Sequence, residues 1–185
     1  MLSQRIRRTT LALLIGFVIA TPAFASDLTV YVGGVNPGTI ASDGKKITLD
    51  ASPIFGLRLN NDIVPLFGME HTLAFSSNFL FPRRISSVTD AKGFVVNSNL
   101  IITIPAGKYA PYVTAGIGLI RQYGSADLPV GTKFASNYGG GIKFPRLAGP
   151  LGLRFDVRGY RATGIFSGGL NIFEASAGLL LTFGR

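Results

Sequence analysis

The stretch Ile172-Phe173-Glu174-Ala175-Ser176-Ala177-Gly178-Leu179-Leu180-Leu181-Thr182-Phe183 decides the fold. One alternate set (Phe173, Ala175, Ala177, Leu179, Leu181, Phe183) is wholly apolar. The other (Ile172, Glu174, Ser176, Gly178, Leu180, Thr182) is mixed and holds the only charge. A period of two with such unlike faces marks a β-strand between two different solvents. The unbroken apolar face predicts the closing strand of a transmembrane β-barrel, with lipid outside and a polar interior.

The same alternation recurs upstream. Leu28, Val30 and Val32 alternate with Thr29, Tyr31 and Gly33 in a first strand over residues 28–35. Over 51–61, Pro53, Phe55, Leu57 and Leu59 oppose Ser52, Gly56, Arg58 and Asn60, with Ile54 an apolar intruder. Further strands are predicted over 67–79, 92–104, 110–122, 133–144 and 150–161. The links run long (36–50), short (62–66), long (80–91), short (105–108), long (123–132), short (145–149) and long (162–171). Pro and Gly punctuate the short ones. Strict alternation of short and long links predicts an all-β, eight-stranded antiparallel up-and-down transmembrane β-barrel, with both termini on the short-turn side. Each strand reaches the ~9–11 residues that cross a bilayer with tilt. Barrel closure pairs every lateral backbone group, as hydrocarbon requires.

The N-terminus reads as an address. Arg5, Arg7 and Arg8 precede the apolar run 11–20, and Thr21-Pro22-Ala23-Phe24-Ala25 supplies small residues at the cleavage positions. This pattern predicts a secretory signal peptide over 1–25, cut after Ala25, and a barrel domain over 26–185. The apolar run is shorter than the ~20 residues of a spanning helix. Net charge is +9, and +6 without the three leader arginines. That suits anionic headgroups, and an exported chain has little access to nucleic acid. Cysteine is absent and histidine occurs once, so neither disulfides nor a thiolate or multi-histidine metal site is expected. No cofactor is predicted.

Two stretches resemble a known family. The C-terminal positions Ser176, Gly178, Leu181 and Phe183 resemble the assembly signal of bacterial outer-membrane barrels, although Gly184 and Arg185 follow the aromatic. Asn137-Tyr138-Gly139-Gly140-Gly141-Ile142-Lys143-Phe144 and Leu151-Gly152-Leu153-Arg154-Phe155-Asp156-Val157-Arg158 resemble the small eight-stranded outer-membrane barrels, the OmpA-like transmembrane domains and opacity-type surface proteins. The resemblance implies a bacterial outer-membrane home and the barrel-assembly machinery as a partner in biogenesis. It implies no particular ligand.

Candidate functional residues follow from facing. Arg154, Asp156 and Arg158 share one face, ~7 Å between alternate residues. In register with them, Arg58, Glu70, Lys143 and Glu174 point the same way, so these seven are expected to form a mutually paired ion network inside the lumen. Unpaired charges in so narrow a space would be costly. Tyr138-Gly139-Gly140-Gly141 is not followed by Lys-Ser/Thr or a helix pattern, so it reads as barrel strand rather than phosphate loop. His71 is expected to face outward near the headgroups, away from Glu70, which leaves no triad. Phe67, Tyr109, Phe144 and Phe183 fall near the short-turn ends, and Phe55, Phe79, Phe81, Tyr123, Phe134 and Phe173 near the loop ends, as two interfacial girdles. Lys45, Lys46, Arg83, Arg84, Lys92, Lys133 and Arg161 lie in or beside the long loops, where contact with lipopolysaccharide phosphates is expected. The function predicted is a non-enzymatic structural or surface-interaction role. The alternatives are a narrow porin-like channel and a soluble lipocalin-like binding barrel.

Overall fold

A computed structural model describes residues 26–42, 45–79, 90–124, 131–165 and 168–183. The predicted leader, Arg83, Arg84, Phe81 and the Gly184-Arg185 tail lie outside these residues. The strands are β1 (Asp27–Asn36), β2 (Thr39–Ser42), β3 (Lys45–Thr48), β4 (Ser52–Val64), β5 (Phe67–Ser76), β6 (Ala91–Thr103), β7 (Ala110–Gly124), β8 (Thr132–Ala148), β9 (Leu151–Ile165) and β10 (Gly168–Thr182). Eight of them close an all-antiparallel barrel in the order β1-β10-β9-β8-β7-β6-β5-β4, and β2 and β3 form a separate hairpin. The predicted up-and-down barrel is therefore the observed fold.

Closure is achieved by pairing the first strand with the last. Leu28 faces Leu181 on one side and Leu59 on the other. Beyond the strand ends, the Phe183 amide donates to the Ser26 carbonyl at 2.9 Å. The register fixes the shear. A row of paired residues runs Leu28, Leu59, His71, Ser98, Ile117, Ser136, Arg161, Asn171. Two residues from Asn171, Phe173 pairs with Asn36, so the row meets β1 again at position 38, ten residues beyond Leu28. Eight strands with this stagger tilt by about 40° and leave an interior just wide enough for side chains to fill.

Facing follows the pleat. Val30, Val32, Leu57, Leu100, Val113, Ile117, Phe155, Val157 and Leu179 are exposed on the outer wall, while Tyr31, Arg58, Thr114, Asp156 and Glu174 are buried inside. Apolar side chains outside and polar ones inside invert a soluble core and match a lipid-facing wall. Phe67, Phe144 and Phe183 stand at the level of the short turns. With a rise of 3.3 Å and a 40° tilt, each residue adds about 2.5 Å of height, which puts Phe55, Phe75, Phe94, Phe134 and Phe173 roughly 20 Å above them.

Several boundaries differ from the sequence reading. The first long link contains the β2–β3 hairpin, whose Thr39-Ile40-Ala41-Ser42 and Lys45-Lys46-Ile47-Thr48 carry no long apolar alternation. The last long link is mostly strand: β9 and β10 run on to Ile165 and from Gly168. Above the apolar band, strands need no apolar face, so periodicity stops while hydrogen bonding continues. β4 extends to Val64 and β8 to Ala148, each through a register irregularity. The β8 irregularity brackets Arg146 at φ 56°, and Gly149 turns the chain at φ 61°.

Counting in twos predicts Phe79 in the outer girdle, and the structure contradicts this: β5 ends at Ser76 and residues 77–79 turn. The ring enters the lumen, 1% exposed. A side chain at Gly93 would collide with it, so that glycine makes its slot.

Candidate functional site

The lumen is filled in layers. In the middle, β4 supplies Arg58, β5 Glu70, β9 Arg154, Asp156 and Arg158, and β10 Glu174, all buried. Arg58 Nη1 lies 2.9 Å from Asp156 Oδ2, and its Nη2 pairs with Glu174. Arg154 reaches Glu70 Oε2 at 2.6 Å and Asp156 Oδ2 at 3.0 Å. Arg158 reaches Glu70 Oε1 at 2.5 Å and Asp156 Oδ1 at 2.9 Å. Three guanidiniums meet three carboxylates, so this layer is neutral. Desolvating such charges is costly, and forked pairing is the arrangement that offsets the cost.

Tyrosines and amides complete the layer. The Arg58 guanidinium lies 3.6 Å from the centroid of the Tyr31 ring, and that of Arg154 4.6 Å from Tyr112. The Tyr112 hydroxyl donates to Asp156, and that of Tyr160 to Glu174 Oε2 at 2.6 Å. Ser176 Oγ donates to Glu174 at 2.8 Å and accepts from Arg58 at 3.2 Å. With the Asn99 amide turned so that its oxygen faces Arg158 Nη1 at 2.9 Å, its nitrogen donates to the Ser98 carbonyl at 3.1 Å. The sequence reading missed these three tyrosines as partners. Their signal was present, since Tyr31, Tyr112 and Tyr160 all alternate inward.

Lys143, predicted as a member of this network, meets it through the Tyr112 ring, whose centroid lies 5.7 Å from Nζ, rather than through its three acids. Its Nζ pairs with Asp27 Oδ2 at 2.7 Å in a lower layer. Asn60 Nδ2 donates to the same Asp27 oxygen at 3.3 Å and to Asp62 at 2.8 Å. The predicted first strand starts at Leu28, whereas Asp27 opens β1 and points inward. Above the ion layer the lumen turns apolar. Val35, Ile54, Val95, Ile120, Leu170 and Ile172 pack with Phe79. Gln122 Nε2 donates to the Phe79 carbonyl at 2.9 Å and holds that turn over the mouth.

The assembly-signal residues lie at the β1–β10 seam. Ser176 and Gly178 point inward, Leu181 outward, and Phe183 is exposed below β10. The lipopolysaccharide candidates do not form one cluster. Lys45 and Lys46 lie on the hairpin. Lys92, at the top of β6, pairs with the exposed Asp90 at 3.3 Å. Lys133 stands at the top of β8 opposite Ile120, and Arg161 is exposed on the outside of β9. Arg121, exposed on the outer face of β7, belongs with them and was overlooked.

His71 faces outward as expected but is 5% exposed rather than open to headgroups. Its Nδ1 lies 2.9 Å from Ser98 Oγ on β6. Glu70, its chain neighbour, points into the lumen toward Arg154 and Arg158, so it orients no serine–histidine pair on the outer face. Among the described residues, no group of three or more His, Cys, Asp or Glu side chains could hold a metal ion.

Comparison with solved structures bears on this architecture. No protein-family model matches the chain, and no curated protein matches it. Neisserial surface protein A (NspA) superposes with a TM-score of 0.62 at 15% identity, covering 84% of this chain and 97% of that one. The fold is that of the eight-stranded outer-membrane barrels. The N-terminal barrel domain of Pseudomonas aeruginosa OprF is similar at a TM-score of 0.53 and 12% identity, covering 85% of this chain and 98% of that one. The outer-membrane enzyme PagL is similar at a TM-score of 0.51 and 14% identity, covering 85% and 99%. One barrel fold thus carries a surface protein and an enzyme, and fold alone does not choose between them.

Proposed function

We propose that this chain is an integral protein of the bacterial outer membrane, exported through the 1–25 leader and inserted by the barrel-assembly machinery. It acts as a non-conducting, non-catalytic anchor that presents its outer loops for structural or surface contacts. The observation that carries this reading is the lumen. A neutral, buried ion layer lies beneath an apolar plug that includes Phe79, inside a barrel whose outer wall is apolar. An apolar constriction excludes water and ions, and salt bridges below it brace the wall rather than line a path. The exposed apolar wall also disfavours a soluble lipocalin-like barrel, whose apolar faces would turn inward. Carbonate extraction followed by planar-bilayer recording tests the reading. Retention in the membrane pellet with no stable unitary conductance is expected. Release without detergent contradicts the membrane assignment, and stable conductance contradicts the plugged lumen.

A further inference from the structure

Among the described residues, the outer wall carries no charged side chain between the short turns and one level near the top. At that level stand Lys92, Arg121 and Arg161, exposed on β6, β7 and β9, with Asp90 paired to Lys92. The paired row climbs ten residues in one circuit of eight strands, a little over one residue per strand. Allowing for that ramp, the three cations lie about 20–25 Å above Leu28, at the upper edge of the apolar band. The opposite wall is different. Asn36 on β1, Pro53 on β4 and Phe75 on β5 face outward there, and none is charged.

The surroundings of Arg161 are arranged for an anion with a lipid tail. Ser136 on β8 and Asn171 on β10 stand directly across from it on either side, both exposed. Hydroxyl, guanidinium and amide thus form one row of donors at the ~4.8 Å strand spacing. Two residues below, Tyr138 and Phe173 both oppose Gly159, and a side chain at Gly159 would meet the Tyr138 ring at 2.9 Å. Tyr138 therefore lies over β9 as an aromatic floor beneath Arg161. Beside that floor the wall is low: Ala175 and Ala177 are exposed on β10, and a Cβ at Gly34 would meet nothing within 4 Å. This low strip begins below the exposed Phe173 ring and runs toward the membrane centre.

We infer that the β8–β10 wall binds a phosphorylated glycolipid of the outer leaflet, with a phosphate on Ser136, Arg161 and Asn171 and an acyl chain along Ala175 and Ala177. Arg121 on β7 extends the cationic arc for a second phosphate, whereas Lys92 is paired with Asp90. The inference rests on the outer-membrane reading and narrows it to one wall. Charge complementarity selects the occupant, since a multiply phosphorylated headgroup matches several cations at one height.

The test is native mass spectrometry of the detergent-solubilised mature chain with diphosphorylated lipid A, dephosphorylated lipid A and phosphatidylglycerol. The wild-type protein is expected to retain diphosphorylated lipid A over both others. Arg161→Gln is expected to weaken that retention roughly tenfold, the size of one lost hydrogen bond to a charged group. Lys108→Gln, in a short turn at the opposite end, is expected to leave it unchanged. Heat-modifiable gel mobility monitors folding of each variant. Equal retention of phosphorylated and dephosphorylated lipid A by a folded barrel overturns the inference and leaves the membrane reading intact. Equal loss in Lys108→Gln overturns the assignment to this wall. Preference for phosphatidylglycerol overturns the choice of glycolipid. A chain with no heat-modifiable form instead fails the membrane reading itself.

Discussion

Arg158 Nη2 on β9 lies 2.5 Å from Glu70 Oε1 on β5, and these strands stand four apart in either direction around the closed barrel. The pair therefore spans the lumen between opposite walls. Arg154 meets the other Glu70 oxygen at 2.6 Å, so one carboxylate receives two arginines from the facing strand. Removing its charge leaves a buried, uncompensated cation. Glu70→Gln is expected to destabilise the barrel by about 3–5 kcal/mol, the usual cost of breaking a buried pair from one side. Urea titration monitored by heat-modifiable mobility measures this. A change below about 1 kcal/mol would show that the pair does not brace the walls.

Phe79 closes the lumen from above, with its ring in the slot left by Gly93. Phe79→Ala is expected to lower stability by about 3–5 kcal/mol, as large-to-small changes of buried aromatics do. Gly93→Leu is expected to expel the ring. Quenching of an engineered fluorophore beside position 79 by aqueous iodide should rise in both variants. Unchanged quenching in both would contradict the plug.

Gly139 and Gly141 turn inward on β8. A side chain at Gly139 would collide with the Val157 carbonyl, and one at Gly141 with the Phe155 carbonyl and the Tyr112 hydroxyl. The Tyr112 hydroxyl is bonded to Asp156, so strain at Gly141 passes into the ion layer. Gly139→Val and Gly141→Val are expected to reduce the folded, heat-modifiable fraction in refolding assays. Wild-type yield in both would remove the role given to these glycines.

The Lys143–Asp27 ion pair lies below the three-arginine layer and meets it at the Tyr112 ring. Asp27→Asn is expected to destabilise the barrel, and the double variant Asp27→Asn with Lys143→Met to recover part of the loss, because the second change removes the stranded cation. Additive losses in a double-mutant cycle would mean that the two side chains do not interact.

What the sequence made legible was whatever obeys the pleat. Arg58, Glu70, Arg154, Asp156, Arg158 and Glu174 could be assigned to one side because alternate residues share a face, and the structure places all six inside. Pairing partners were not legible, since the shear sets which inward residues share a height. Lys143 lies near Asp27 for this reason, although a face count groups it with the other charges. Turn geometry defeated the count at Phe79, where two turn residues, Ser77 and Asn78, intervene between the end of β5 and the ring. The hairpin and the upper reaches of β9 and β10 were invisible because strands beyond the lipid band need no apolar face. Arg121 escaped notice because it sits inside a strand rather than in a loop.

The central claim is that the outer wall faces hydrocarbon. The chain has no cysteine, so single cysteines introduced at Val113, Val157 and Leu179 carry spin labels without further change. All three positions are exposed and apolar on the outer wall. Collision with oxygen and with a water-soluble nickel chelate, measured after reconstitution into lipid bilayers, tests the claim most directly. High oxygen and low nickel accessibility at all three sites is the result predicted. Nickel accessibility at the level of a solvent-exposed label would contradict it.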